Sequence, residues 1–170
     1  MSVHESLAIT VALAASGFDL RSRRIPNALT LGGALAALIA SAVTAGMGGI
    51  WSSAAGWALA TAMWMPLYAL GGMGAGDVKL MAAIGAWLGP LAVVYATLYG
   101  AVAGAVMAAG VVVAQRCVGQ TWSNIHLLLT HWRVAGFAPH AQLTLDAANS
   151  PRLAYAIPIL IGTVAAIWLR

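Results

Sequence analysis

The chain holds four carboxylates, and two of them are placed where they could carry out chemistry. Asp19 ends one apolar stretch and precedes three arginines, whereas Asp77 ends a glycine-rich stretch and precedes another apolar stretch. Two carboxylates a few ångströms apart cannot both ionise readily, so one keeps a proton while the other stays anionic. The anion can take a proton from a water held between them, while the protonated acid polarises a peptide carbonyl. Such a pair predicts aspartyl proteolysis.

The elements that must position these acids are predicted from the composition. Charged residues make up 7% of the chain and hydrophobic types 62%, whereas an average globular chain is about 25% charged. This composition excludes a soluble domain, a disordered chain and, despite a pI near 9.9, a basic nucleic-acid-binding protein. The single cysteine, Cys117, excludes a disulfide or a thiolate zinc site within one chain. We expect a polytopic helical membrane protein.

Six membrane-spanning helices are predicted from the lengths of the apolar stretches. A helix needs about 20 apolar residues to cross about 30 Å of hydrocarbon. The predicted fold is therefore all-α, a six-transmembrane-helix bundle with its N-terminus outside, forming a single membrane-embedded domain over residues 1–170. The spans are predicted at residues 3–18, 28–45, 50–70, 78–88, 91–114 and 153–169, with a turn at 46–49.

The interval 115–152 is the only long polar stretch, and it is predicted to be a cytoplasmic or interfacial connection within the domain. Its large apolar residues recur at roughly helical spacing, which favours a helix lying in the membrane interface. These residues are Trp122, Ile125, Leu129 and Trp132. His126 and His131 are five residues apart and do not share a helical face, so no metal site is predicted there.

The basic residues predict the orientation of the chain. The first apolar stretch is followed, not preceded, by arginines, which is the reverse of a secretion signal. With the N-terminus outside, every lysine and arginine except Arg170 falls on the cytoplasmic side. Asp19 and Asp77 then lie at the same cytoplasmic boundary. Since an ionisable group at membrane depth costs about 3 kcal/mol, both are candidates for function.

Simpler interpretations of each acid exist. Asp77 follows a glycine-rich turn and could serve as the N-cap of a helix, and Asp19 could pair with Arg21, Arg23 or Arg24. Two other functions would also use a bundle with these acids. One is a small proton or cation transporter subunit in which the aspartates relay protons, and the other is a non-catalytic assembly partner in a pilus or secretion machine.

Two sequence stretches resemble the signature stretches of type IV prepilin peptidases. They are Asp19-Leu-Arg-Ser-Arg-Arg-Ile-Pro-Asn27, followed by an apolar helix, and Gly72-Met-Gly-Ala-Gly-Asp-Val-Lys-Leu80. The second contains the GxGD pattern, Gly74-Ala-Gly-Asp77, which that family shares with presenilin-like intramembrane aspartyl proteases. Ala156-Ile-Pro158 is also similar, though less specific, while residues 120–151 match nothing recognisable.

This resemblance implies a function and a location. Asp19 and Asp77 would be the catalytic pair of a prepilin peptidase in the bacterial inner membrane, with the active site facing the cytoplasm and no cofactor or metal. The substrate would be a prepilin with a short basic leader, cut after a glycine. A helical peptide bond must unwind before attack, and glycine lowers that cost by about 1 kcal/mol relative to alanine.

The branch of the family is also implied by what the sequence contains. Longer members carry a segment with paired CxxC motifs and a second, methyltransferase activity, and this sequence has no such motif. The chain resembles the short branch that processes Flp-type pilins of tight-adherence systems, so neither methylation nor zinc is implied. Archaeal preflagellin peptidases have similar motifs.

Five further residues of the two stretches are candidates for binding substrate or shaping the site. Gly74 and Gly76 would let an extended substrate approach the backbone, or would simply make the turn into the next helix. Lys79 would act on the dyad or the substrate, or would be a positive anchor at the membrane surface. Pro26 and Asn27 close the first stretch.

Small residues at four-residue spacing predict close packing of helices. The clearest pairs are Gly85xxxGly89 and Gly100xxxGly104. Two copies of the chain could also associate as a homodimer through such faces.

Overall fold

The structure, a computed structural model, describes residues 1–138 and 153–169. Over these residues it contains six helices and no strand, which confirms the predicted all-helical class. The helices are α1 (Val3–Ser22), α2 (Asn27–Ala69), α3 (Ala75–Leu88), α4 (Pro90–Ala114), α5 (Val118–Ala135) and α6 (Ala156–Trp168). The later part of the predicted connection, 139–152, and Arg170 lie outside the described residues.

The helix ends follow local sequence signals. At the start of α1, Glu5 Nα–H donates to Ser2 Oγ and Ser2 Nα–H donates to Glu5 Oε2, which is a capping box. α1 continues past the predicted end and stops where Arg23 adopts a left-handed conformation. α4 begins with Pro90, which needs no hydrogen-bond partner at the first helical position.

α2 folds back on itself at Gly46. That residue has φ 58° and ψ −141°, which interrupts the helix inside the predicted 46–49 turn. Beyond it, Gly49 packs so closely on Ser41 that a Cβ would collide with the Ser41 carbonyl. Residues eight apart in a straight helix are about 12 Å apart along the axis, so the two halves of α2 run antiparallel.

α3 is the centre of the bundle. It packs most extensively against α2 and also contacts α1, α4 and α6. Its side chains are buried almost continuously from Val78 to Trp87, and Leu80, Met81 and Ile84 are fully buried. Small residues on the neighbouring helices, such as Ala12 and Ala60, make this close enclosure possible.

Glycine contacts hold two helix pairs together. Gly56 of α2 and Gly85 of α3 pack backbone to backbone, and Gly162 of α6 packs in the same way against Gly100 of α4. A Cβ at any of these positions would meet main-chain atoms, as the predicted close packing requires. The Gly85 and Gly100 faces are therefore used within the chain and are not free to pair two copies.

Among the residues that the structure describes, two helices, α2 and α4, are long and apolar enough to cross a membrane, and α6 is a shorter apolar helix. The surface of α2 exposes a stripe of large apolar residues spaced by four, namely Leu31, Leu35, Ile39 and Val43. Such a stripe suits contact with lipid rather than with water. These features are compatible with the predicted helical membrane protein.

α5 stands apart from the bundle. It contacts α4 among the described helices, and none of its residues is buried. Trp122, Ile125 and Leu129 are exposed along it. A helix in the region predicted to be interfacial is therefore present at Val118–Ala135.

Candidate active site

Asp19 lies in the last turn of α1 and is 7% exposed. Its Oδ2 accepts a hydrogen bond of 3.3 Å from the backbone N–H of Ala156, the first residue of α6. The carboxylate thus lies at the N-terminus of α6, where the helix dipole favours negative charge. This partner is a backbone group on a distant helix, which the sequence did not suggest.

Ser16, one turn before Asp19, joins the same two helices. Its hydroxyl lies 3.0 Å from the Ala156 carbonyl oxygen and 2.9 Å from that of Ala12, and either can accept its proton. Because Ser16 and Asp19 contact the C=O and N–H of one residue, α1 and the start of α6 are held in a defined register.

Asp77 lies in the first turn of α3 and is partly buried. The N-cap of α3 is Gly74, so the interpretation of Asp77 as the N-cap is wrong. Instead the Asp77 carboxylate lies back toward Gly74, where a Cβ would be 3.4 Å from Asp77 Oδ2. A side chain three residues after the N-cap reaches back in this way in capping boxes.

The two aspartates are brought together at one end of the bundle, which we call the aspartate end and define by Asp19, Asp77 and Ala156. α1 finishes there, while α3 and α6 begin there. The charges of Asp19 and Asp77 interact with each other. Both carboxylates also lie at a helix N-terminus, Asp19 bonded to the N–H of Ala156 at the start of α6 and Asp77 in the first turn of α3. A carboxylate pair of this kind can hold a single proton between its members and act as acid and base together.

The two sequence stretches contact each other beside the aspartates. Lys79 Nζ donates a hydrogen bond of 2.9 Å to Asn27 Oδ1 at the surface. Below it, Ile25 covers the space left by the missing side chain of Gly76, where a methyl group would lie 3.4 Å from Ile25 Cβ. Pro26 is the N-cap of α2. The segment Ile25–Asn27 is thus held against the first turn of α3.

The glycines of the second stretch have different roles. Gly74 has an ordinary φ of −77°, whereas Gly71, earlier in the turn, has φ 73°. The turn into α3 therefore needs a glycine at 71 for its backbone conformation. At Gly76 the glycine makes room for Ile25. Neither Gly74 nor Gly76 is required by a positive φ.

Tyr155 is a residue of this end that sequence reasoning missed. It is the N-cap residue of α6, and its phenol is within electrostatic range of Asp77. Its ring packs edge-on against Trp64, with 5.9 Å between centroids, and its hydroxyl lies against Gly104 of α4. The only sequence signal was its position directly before the Ala156-Ile-Pro158 stretch.

No group of three or more histidine, cysteine, aspartate or glutamate residues is close enough to hold a metal ion within the described ranges. The groups that the aspartate end brings together include two carboxylates, the backbone N–H of Ala156 and one phenol.

A sequence model of the type IV leader peptidase family matches residues 6–109. The matched segment contains both aspartates and ends within α4, so α5 and α6 lie beyond it. No curated protein matches the chain, and no solved structure does. Because the match covers more than half of the sequence, the chain belongs to the type IV leader peptidase family, and it is a membrane peptidase.

Proposed function

We propose that this protein is an aspartic endopeptidase that removes the leader peptide of a type IV, Flp-like prepilin, with Asp19 and Asp77 as its catalytic pair. The observation that carries the proposal is that these two acids, which come from different helices and different sequence stretches, lie at one end of the bundle within electrostatic range of each other. Membership of the leader peptidase family supports peptide hydrolysis as the reaction.

The reaction needs only the two carboxylates and a water. The anionic aspartate takes a proton from the water as the water oxygen bonds to the peptide carbonyl carbon, and the protonated aspartate donates a hydrogen bond to the carbonyl oxygen. The resulting tetrahedral intermediate collapses when a proton reaches the peptide nitrogen. The C–N bond then breaks, releasing the leader acid and the new amine, and no covalent enzyme intermediate forms.

We propose that residues 1–170 form one domain with six membrane passes, its N-terminus outside and the aspartate end facing the cytoplasm of the inner membrane. The fold-back of α2 at Gly46 supports two passes by that helix, since α2 has 43 residues. The basic residues support the orientation. Arg21, Arg23, Arg24 and Lys79 all flank the aspartate end, and basic residues favour the cytoplasmic side.

Residues 115–152, including α5, would then form a connection at the cytoplasmic membrane surface. The exposed apolar side chains of α5 support this placement, because an interfacial helix needs an apolar face toward the acyl chains.

The proposed activity is tested by co-expressing the chain with a candidate prepilin and following the precursor's size. Asp19→Asn and Asp77→Asn keep the shape of each side chain but remove the base. We expect each variant alone to abolish the shortened product while the protein still accumulates in membranes. Glu5→Gln is the matched control, because Glu5 is a carboxylate at the far end of α1 and glutamine also suits a capping box.

Processing by either asparagine variant would remove that acid from the mechanism. The same assay separates the other candidate functions. A proton or cation transporter would give no shortened product in the wild type but would lose ion flux in both variants, and an assembly partner would support pilus assembly in both.

A further inference from the structure

Tyr155 is a residue of the aspartate end that lies close to both acids. Its Cα is within about 6 Å of Asp19 Oδ2, because that oxygen is 3.3 Å from the backbone nitrogen of the next residue, Ala156. Its phenol is within electrostatic range of Asp77. Tyr155 is also the N-cap residue of α6, so it lies at the helix end where the two carboxylates meet. Its backbone is therefore beside one acid and its side chain is near the other.

The phenol ring of Tyr155 is held from two sides. It packs edge-on against Trp64 of α2, with 5.9 Å between centroids, and its hydroxyl end lies against Gly104 of α4. Trp64 is itself fixed, because its Nε1–H donates a hydrogen bond of 3.0 Å to Thr97 Oγ1 of α4. A ring confined in this way keeps its hydroxyl in a defined position near the acids before any ligand binds.

The fold does not use the Tyr155 hydroxyl. It makes no hydrogen bond to the residues that the structure describes, and it is not one of the enclosed polar atoms of this partly buried residue, so a ligand can reach it. By contrast, the nearby Ser16 hydroxyl already lies between the carbonyls of Ala12 and Ala156. Since a phenol is a neutral O–H donor, the aspartate end offers an accessible donor with no acceptor of its own.

The proposed reaction creates an acceptor for such a donor. When water adds to the peptide carbonyl carbon, the carbonyl oxygen gains negative charge, and the protonated aspartate supplies one hydrogen bond to it. A second donor that is already oriented stabilises this charge further, and its effect is largest where water is excluded. Lys79 is less suited to this task, because it is exposed and bonded to Asn27.

We propose that the Tyr155 hydroxyl donates a hydrogen bond to the carbonyl oxygen of the peptide bond that is cut, as a third catalytic group beside Asp19 and Asp77. This inference rests on the proposed peptidase function. Tyr155 keeps its proton throughout, so the two aspartates and the water still carry out every proton transfer. Its contribution is to stabilise the charge of the tetrahedral intermediate.

The test measures kcat and KM for prepilin cleavage by the purified full chain in lipid vesicles. Tyr155→Phe keeps the ring against Trp64 and Gly104 and removes only the hydroxyl. We expect kcat to fall about 100-fold, as for the loss of one oxyanion donor. KM and the unfolding temperature should stay near the wild-type values, because the lost hydrogen bond strengthens only as charge develops.

Tyr99→Phe is the matched control, because Tyr99 is another partly buried phenol that packs against the same core cluster. It should keep the wild-type kcat. Equal values of kcat for Tyr155→Phe and Tyr99→Phe would overturn the donor role and leave the Tyr155 ring as a packing element. A rise in KM alone would overturn it as well, since the phenol would then bind the substrate without stabilising the reaction.

Replacement of Tyr155 by a trifluorinated tyrosine tests the same role without removing the hydroxyl. Fluorine makes a phenol ionise at lower pH, and a phenolate cannot donate a hydrogen bond. We expect cleavage to be lost at lower pH than in the wild type. The titratable neighbours Asp19 and Asp77 are the same in both proteins, and Trp64 and Gly104, which contact the ring, do not titrate. An unchanged pH profile would overturn the donor role, even if Tyr155→Phe does not fold.

The same assay separates a failure of this inference from a failure of the proposed function. Product from Asp19→Asn or Asp77→Asn, or none from the wild type, would overturn the aspartyl peptidase function and the donor role with it. Full activity of Tyr155→Phe beside two inactive asparagine variants would overturn the donor role alone.

Discussion

Asp19 Oδ2 accepts a hydrogen bond from the N–H of Ala156, a residue 137 positions later in the sequence. The acid lies in the segment that the family match covers, and its partner lies beyond that segment. α6 therefore takes part in the candidate site, although no titratable residue of α6 itself is needed. Its contribution is the geometry of a helix N-terminus, which the packing of α6 on α1 and α4 keeps in place.

Loss of the Ser16 hydroxyl should disturb that geometry. In Ser16→Ala the Ala156 carbonyl loses its contact with α1, so we expect a loss of about 1 kcal/mol in stability and slower prepilin cleavage. The matched control is Ser22→Ala, which removes an exposed hydroxyl whose acceptors, the carbonyls of Phe18 and Arg24, are both within two to four residues of it in sequence. Unfolding in detergent and a cleavage time course measure both effects. Equal behaviour of the two variants would contradict a positioning role for Ser16.

Close packing of α2 on α3 should be sensitive to a single methyl group. Gly85→Ala or Gly56→Ala would drive a Cβ into the backbone of the partner helix, so we expect a loss of about 3 kcal/mol or more and poor accumulation in membranes. Gly32→Ala is the control because nothing lies within 4 Å of a Cβ there. That variant should be neutral or stabilised by up to about 1 kcal/mol. Similar stability of Gly85→Ala and Gly32→Ala would refute the packing.

The contact between Lys79 and Asn27 should behave as one interaction. Because both residues are exposed, Lys79→Met and Asn27→Ala should each cost less than about 1 kcal/mol in stability. If the contact holds the Ile25–Asn27 segment beside the aspartates, each change slows cleavage and the double variant is no slower than the single ones. Fully additive effects on cleavage would mean that Lys79 acts independently, for example as a membrane anchor.

A side chain at position 104 should displace Tyr155. The Cβ of Gly104→Ala would lie 2.8 Å from Tyr155 Cζ, so we expect a loss of about 1–3 kcal/mol and slower cleavage as the start of α6 shifts. Gly110 lies further along α4 with open space around it, so Gly110→Ala should leave the stability and the cleavage rate unchanged. The double variant Gly104→Ala/Tyr155→Ala lacks the ring that the new methyl group would meet. It should therefore lose less stability than the sum of the losses in the two single variants. Simple additivity would show that the two residues do not compete for space.

Much of the helix content could be predicted from the sequence, because apolar length and glycine position are local signals. The turn near Gly46, the amphipathic helix after residue 115 and the placement of Asp19 and Asp77 at helix ends all follow from such signals. The length criterion alone supports α2 and α4 as membrane spans, so the six-pass division stays a prediction.

The partners of the two acids could not be predicted in the same way. Asp19 is bonded to a main-chain N–H, and every residue except proline carries one, so nothing in the sequence marks Ala156 as the donor. The local start of α3 was also missed, since the choice between Gly74 and Asp77 as N-cap depends on where the turn after Gly71 ends. Tyr155 comes near Asp77 through the packing of α6 on α1, α3 and α4.

The shortness of α3 has a consequence for hydration. With 14 residues, its axis is about 21 Å long, which is less than the thickness of the hydrocarbon layer. Since α1, α2, α4 and α6 surround it, a membrane pass by α3 would leave a recess at its termini walled by protein and not by acyl chains. Hydrolysis consumes water, and such a recess would admit water to Asp19 and Asp77, which the bilayer would otherwise shield.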